Sequence, residues 1–260
     1  MRYFKILLLH FEDVLQERTR AFVYFLLNVI NPLMLILFWG GVKSKSALIG
    51  GLTREQISSY YLILIVVVTI VLSHIEEQIA KDHIREGGLV RYLVRPFPYL
   101  ALQFLNEMPH RLLQGVYGII GFFILQHLIP NIPLPIISLS TVFILVNAYF
   151  LCFIVQATLS LTAFWITDMA GILNTWEVIR VVLSGLLVPI TFLPNWVASI
   201  AYVTPFPYII YFPVISLQGN APLQLQIWII FMQFLWMALF FAIYKTLWLF
   251  GLKRFSGVGQ

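Results

Sequence analysis

Six blocks of this chain run almost without interruption through apolar residues, at roughly 22 to 42, 57 to 78, 112 to 129, 136 to 166, 171 to 190 and 225 to 250. No other feature constrains the fold as strongly. A half-buried helix carries its apolar residues on one face and a half-buried strand alternates them; unbroken blocks near the ~20 residues needed to cross ~30 Å of hydrocarbon mark helices whose solvent is lipid. Helices satisfy their own backbone hydrogen bonds, as a bilayer demands. The expected class is therefore all-α, a polytopic membrane protein with six transmembrane helices. Six crossings take about half of the 260 residues, leaving no stretch for a separate soluble catalytic domain, so 1–260 reads as a single membrane bundle. Composition agrees: 60% of residues are hydrophobic and 10% charged, against about 25% charged in a soluble domain.

An even number of crossings puts both termini on one side. With the N-terminus in the cytoplasm, Arg2, Lys5, Arg18, Arg20, Lys81, Arg85, Arg91, Arg95, Arg111, Arg180, Lys245, Lys253 and Arg254 are cytoplasmic, and only Lys43, Lys45 and Arg54 are outside. That bias predicts an inner-membrane protein with both termini in the cytoplasm. The net charge of +5 is spread along the block edges rather than gathered in a patch, which argues against a nucleic-acid partner. The lone Cys152 excludes an intrachain disulfide and a thiolate metal cluster. Ile6–Leu9, cut short by His10, is too brief for a signal-peptide core, so the N-terminus is expected to stay in the mature protein.

Between the blocks lie amphipathic pieces. In residues 1–20, Phe4, Leu7, Leu8, Phe11, Val14 and Leu15 recur at helical spacing, describing a helix in the membrane interface or a cytoplasmic extension of the first span. Pro32 favours a kink in that span. The second span is expected to continue as helix into a cytoplasmic segment, 79–98, because Glu77 and Lys81, and Asp82 and Arg85, stand at helical pairing distance. Gly87-Gly88 can end it with a left-handed cap, and Leu89, Tyr92 and Leu93 then share one side of a short piece with Arg91 and Arg95 on another. Local physics leaves that piece either a positive-inside charge cluster or a protein docking surface. Gly115, Gly118 and Gly121 form a smooth stripe for close helix packing. Asp168 is placed as an N-cap, with Glu177 and Arg180 able to pair. Pro189, Pro194, Pro205, Pro207, Pro213 and Pro222 cut the region 191–221 into apolar pieces, Asn195 to Val203 and Tyr208 to Leu217, too short to cross; a re-entrant outer hairpin is expected, with Trp196, Tyr202, Tyr208 and Tyr211 at headgroup level.

The chain has no phosphate-binding loop, no His-Glu-x-x-His and no nucleophile elbow. His10, His74, His83, His110 and His127 are scattered without metal-ligand spacing, so no catalytic, cofactor or metal residues are assigned. Glu76, Glu107, Glu177, Arg180 and Lys245 all fall near expected cytoplasmic ends, leaving the middle layers uncharged. A bundle without its own energy source would have to be driven from outside.

The segment Ile84-Arg85-Glu86-Gly87-Gly88-Leu89-Val90-Arg91-Tyr92-Leu93-Val94-Arg95-Pro96, together with Gly185–Trp196 and Thr204–Tyr208, resembles the corresponding parts of the permease subunits of type-2 ATP-binding-cassette exporters, and the likeness covers nearly the whole chain. The resemblance implies a half-transporter whose coupling surface, Arg85, Glu86, Leu89, Arg91 and Tyr92 with Lys5 beside it, fits a separate P-loop ATPase. ATP and Mg would be bound by that partner and no cofactor by this chain. It also implies a second permease chain, identical or related, and an outer gate formed by Pro194, Trp196, Pro205 and Pro207. The expected cargo is amphipathic or hydrophobic. Two rivals stand beside this reading. One is a membrane scaffold without a transport path. The other is a membrane-embedded lipid-modifying enzyme, against which Glu76, Glu77, Asp82 and Glu86 count because they are interleaved with basic residues.

Overall fold

The computed structural model of the protein describes residues 2–16, 18–41, 52–129, 132–166 and 168–255; Lys43, Lys45 and Thr167 lie outside them. Helix α1 (Arg2–Gln16) is followed by α2 (Arg18–Gly41) and α3 (Arg54–Val71). Thr53 and Gln56 start α3 with a capping box, each side chain bonded to the other's backbone N–H at 3.2 and 2.9 Å. Among the described residues, four helical stretches are long and apolar enough to cross a bilayer, Ala21–Trp39, Arg54–Arg85, Leu139–Phe164 and Leu223–Leu252, or five if the pair Asn195–Tyr202 and Phe206–Leu217, bent by 69°, is one span. The described residues contain no strand.

The column that begins with α3 does not continue as one α-helix. Leu72–His74 break it, α4 (Ile75–Gln78) resumes it, and Ile79–Arg85 wind as a π-helix. The expected Glu77–Lys81 and Asp82–Arg85 pairs are not among the ion pairs of the described residues; the wider turn of the π-helix carries Arg85, at i+3, further from Asp82 than an α-helix would. The carbonyl of Leu72 accepts from the buried Arg111 guanidinium instead.

That arginine sits deep in α6 (Tyr99–Leu128), which begins well before the expected block at 112. Its added turns carry Asn106, Glu107, His110 and Arg111, polarity that hides a helix from an apolarity scan. Arg111 Nε pairs with Glu107 at 2.8 Å, and both side chains are largely buried, so a charge layer lies inside the protein where the sequence pattern predicts only a cytoplasmic edge.

Helices α7 (Leu139–Ser160) and α8 (Met169–Leu183) follow. Asp168 caps α8, accepting from the Ala170 N–H at 3.1 Å, and Arg180 pairs with Glu177. With 15 residues α8 is about 22 Å long, short of a membrane crossing. Then come α9 (Asn195–Tyr202), α10 (Phe206–Ile209), α11 (Tyr211–Leu217) and α12 (Leu223–Leu252). Pro194, Pro205 and Pro222 immediately precede α9, α10 and α12, positions where a missing N–H costs nothing.

Helix α3 is the core and α12 is the wall. Of the most apolar stretch, 78% is buried in the α3 column and 17% in α12, at equal mean hydropathy. The difference lies in the polar atoms and small neighbours. Tyr60 and Tyr61 donate to the Gly185 and Leu187 carbonyls at 2.7 and 3.0 Å. Gly115 and Gly118 of α6 press so close to α3 that a Cβ on Gly118 would lie 2.1 Å from Thr69 Oγ1, while Gly121 faces Phe25 of α2. On α12 one inward polar group, Gln233, donates to the Ile144 and Tyr208 carbonyls, both at 3.0 Å, and a belt including Trp228, Phe231, Leu235 and Leu239 stays exposed.

Candidate functional site

The π-helix ends at Gly87-Gly88. Gly87 adopts φ +76°, a left-handed conformation that costs glycine least, and Gly88 and Leu89 donate to the Asp82 and His83 carbonyls at 3.1 and 2.8 Å. A Cβ on Gly88 would stand 2.5 Å from the Asp82 oxygen. This turn launches α5 (Val90–Leu93), a single turn far too short to be stable by itself.

Two anchors hold it. Leu89, expected on the docking face, points inward and is 0% exposed. Tyr92, half-buried, lies tilted against His83 at 4.5 Å and edge-on to Tyr99 at 5.5 Å. His83 Nδ1 and the Tyr99 hydroxyl share a hydrogen bond of 2.6 Å. Tyr99 in turn stacks on Trp248 at 4.8 Å, and Trp248 on Tyr244 at 6.1 Å. One aromatic chain thus joins α5 to the start of α6 and the end of α12.

With those anchors inside, α5 and the residues after it turn an apolar face outward: Val90, Leu93 and Val94, the last 78% exposed. Glu86, Arg91 and Arg95 are exposed around it, Arg95 lying 5.4 Å over the Tyr92 ring. Arg85 is turned away, donating to the Ile166 carbonyl in the connection between α7 and α8. Lys5 is exposed on α1. On the same helix, the pKa of His10 is lowered by burial and, against the raising effect of Asp13, by the Arg95 charge.

Of the expected coupling residues, then, Glu86, Arg91 and Lys5 are exposed, while Leu89 and Tyr92 serve as anchors and Arg85 as a tie to the neighbouring connection. Leu93, expected on one side with Leu89 and Tyr92, faces outward instead, beside Val90 and Val94, which helical spacing does not pick out. The burial of Leu89 follows from the left-handed turn at Gly87, which fixes which side of a one-turn helix faces inward; helical spacing alone cannot supply that phase.

At the opposite end of the α3 column, the outer-gate residues separate. Pro194 and Trp196 are exposed, Trp196 by 70%, while Pro205 and Pro207 are buried with α10 and α11. That buried limb is tied to the turn after α8 by the Tyr211 N–H donating to the Ser184 carbonyl at 3.1 Å, beside Gly185 (φ +85°), whose carbonyl accepts from Tyr60 of α3, and to the segment before α7 by the Ile136 N–H donating to the Leu217 carbonyl at 2.7 Å. Trp176 of α8 packs tilted against Phe206 of α10 at 5.0 Å, and Trp39 of α2 meets Phe192, before α9, edge-on at 5.4 Å.

No group of three or more His, Cys, Asp or Glu among the described residues is arranged to hold a metal ion. A family model described as ABC-2 family transporter protein matches residues 29–259. Neither a curated protein nor a solved structure matches the chain.

Proposed function

The chain belongs to the ABC-2 family of transporter proteins, and from that premise and the surface around α5 we propose that it is the permease half of an exporter driven by a separate ATPase chain. Membership makes it a membrane transport component of an ABC transporter. The finer reading is that α5 and Val94 dock in a groove of a P-loop ATPase, which would carry ATP and Mg.

The observation that carries this reading is the pairing of an exposed apolar face, Val90, Leu93 and Val94, with a rigid root beneath it. A soluble protein seldom leaves such residues exposed without use, and water rather than lipid surrounds a segment flanked by Glu86, Arg91 and Arg95. Force applied at Val94 would pass through Tyr92, His83 and Tyr99 to α6, and through Trp248 to α12. A charged rim of Glu86, Arg91 and Arg95 would set register and partner choice.

In this reading the chain crosses six times, through α2, the α3–π column, α6, α7, α8 with the segment beyond it, and α12. Both termini lie with the ATPase in the cytoplasm of an inner membrane, as the distribution of Lys and Arg favours. Helix α1 lies in the interface beside α6, α9–α11 form the re-entrant outer lid, and a second permease chain completes the path for an amphipathic cargo.

Purification of the full chain from native membranes in mild detergent tests it. A P-loop ATPase should accompany the wild type and be lost from Val94→Asp, whose thermal midpoint should match wild type because Val94 touches solvent. A clean permease complex containing no nucleotide-binding chain would overturn the reading.

A further inference from the structure

A cavity of about 480 Å³ opens between the first turns of α2, α4 and the middle of α6. Its charge is unbalanced. Glu76, Glu77, Glu107 and Arg111 line it, and the Arg111 guanidinium is already engaged with Glu107 and the Leu72 carbonyl. Glu76 and Glu77 have no Lys or Arg within ion-pair distance among the described residues. His74 lies 3.7 Å from Glu76, and His110 forms another part of the wall. Glu77 stands at the rim, where a smaller cavity bordered by Lys81 and Arg85 begins.

The hydrogen-bonding capacity is unbalanced in the same sense. Glu76 Oε2 and Gln114 Oε1 are buried acceptors without a donor among the described residues, and Gln114 is 2% exposed. Buried polar atoms are ordinarily satisfied, and water could supply donors in a space this size, but water brings no positive charge. One wall is apolar: Leu27 lines the cavity on a face of α2 that continues outward through exposed apolar residues of a membrane-crossing stretch.

We propose that this cavity binds the protonated amine of an amphipathic molecule, a primary ammonium group donating to Glu76 and Gln114 while its chain runs along the Leu27 side of α2. A quaternary ammonium would bring the charge without donors, and a carboxylate would be repelled. The proposal rests on the exporter reading only in making that molecule the cargo.

The test uses the full chain in phosphatidylcholine nanodiscs, without nucleotide or ATPase, and measures binding of dodecylammonium, dodecyltrimethylammonium and dodecanoate by equilibrium dialysis. Dodecylammonium should bind about tenfold more tightly than its trimethyl analogue, the scale of a charge-assisted hydrogen bond, and dodecanoate should not exceed its partition into empty discs. Glu76→Gln, and separately the exposed and fold-safe Glu77→Gln, should each weaken dodecylammonium by about tenfold with an unchanged thermal midpoint. Equal binding of the three compounds, or wild-type binding by both variants, would overturn the proposal. Because no ATPase is present, failure here leaves the exporter reading intact, and absence of an ATPase partner leaves this result intact.

Discussion

The two ends of the α3 column carry the same kind of sequence, short apolar helices interrupted by Gly or Pro, and the structure treats them in opposite ways. At the Gly87-Gly88 end a single turn is held from beneath by Leu89 and an aromatic stack, and its apolar face is left outside. At the Pro205 end most of α10 and α11 is drawn inside, tied by Tyr60 and Gly185, and only α9 stays exposed. The difference teaches that interruption marks where a chain changes direction, while burial is decided by what the neighbouring span offers. Helix α3 offers two tyrosine hydroxyls to the backbone near one end and nothing comparable to α5.

The largest effect expected from breaking this contrast is at Leu89. Leu89→Ala should remove α5's root and destabilise the protein by roughly 2–5 kcal/mol, read as a fall in the midpoint of thermal aggregation of the purified chain. Gly185→Ala comes next at the other end. It must keep φ +85° with a Cβ 2.7 Å from the Tyr60 hydroxyl, a cost of about 1–2 kcal/mol from the left-handed backbone before any crowding. Tyr60→Phe leaves the Gly185 carbonyl without its donor and should cost about 1–3 kcal/mol. Tyr61→Phe, whose hydroxyl bond is longer and less buried, should cost less than Tyr60→Phe by the same aggregation assay. Trp196→Ala on exposed α9 should stay within about 0.5 kcal/mol; a loss as large as that of Leu89→Ala would erase the distinction between the buried and exposed limbs.

Much of the fold was legible because local rules settle it. Asp168 caps α8 and Glu177 pairs with Arg180, each a matter of neighbours in one helix. Gly87 takes the left-handed φ that its position requires, and Pro194, Pro205 and Pro222 stand at helix starts. What stayed hidden depends on partners distant in sequence. Helix α6 extends back to Tyr99 because Arg111 finds Glu107 and the Leu72 carbonyl, and no window around Arg111 contains Leu72. The π-helix after the break at Leu72–His74 parts the i,i+3 pair Asp82–Arg85 that spacing predicts, since that pair presupposes an α-helix. At the candidate site the segment itself was found, but the inward turn of Leu89 and the stack through His83, Tyr99 and Trp248 join residues up to the far end of α12.

The central claim, that the exposed face of α5 and Val94 transmits the work of an external ATPase, is tested most directly by one rate. Hydrolysis by the ATPase bound to the full permease should be measured in lipid discs for wild type and Val94→Asp, with the complex assembled at saturating ATPase. Val94→Asp should abolish the dependence of hydrolysis on the permease while the permease melts as wild type does. Hydrolysis equally dependent on the permease in both proteins would contradict the claim.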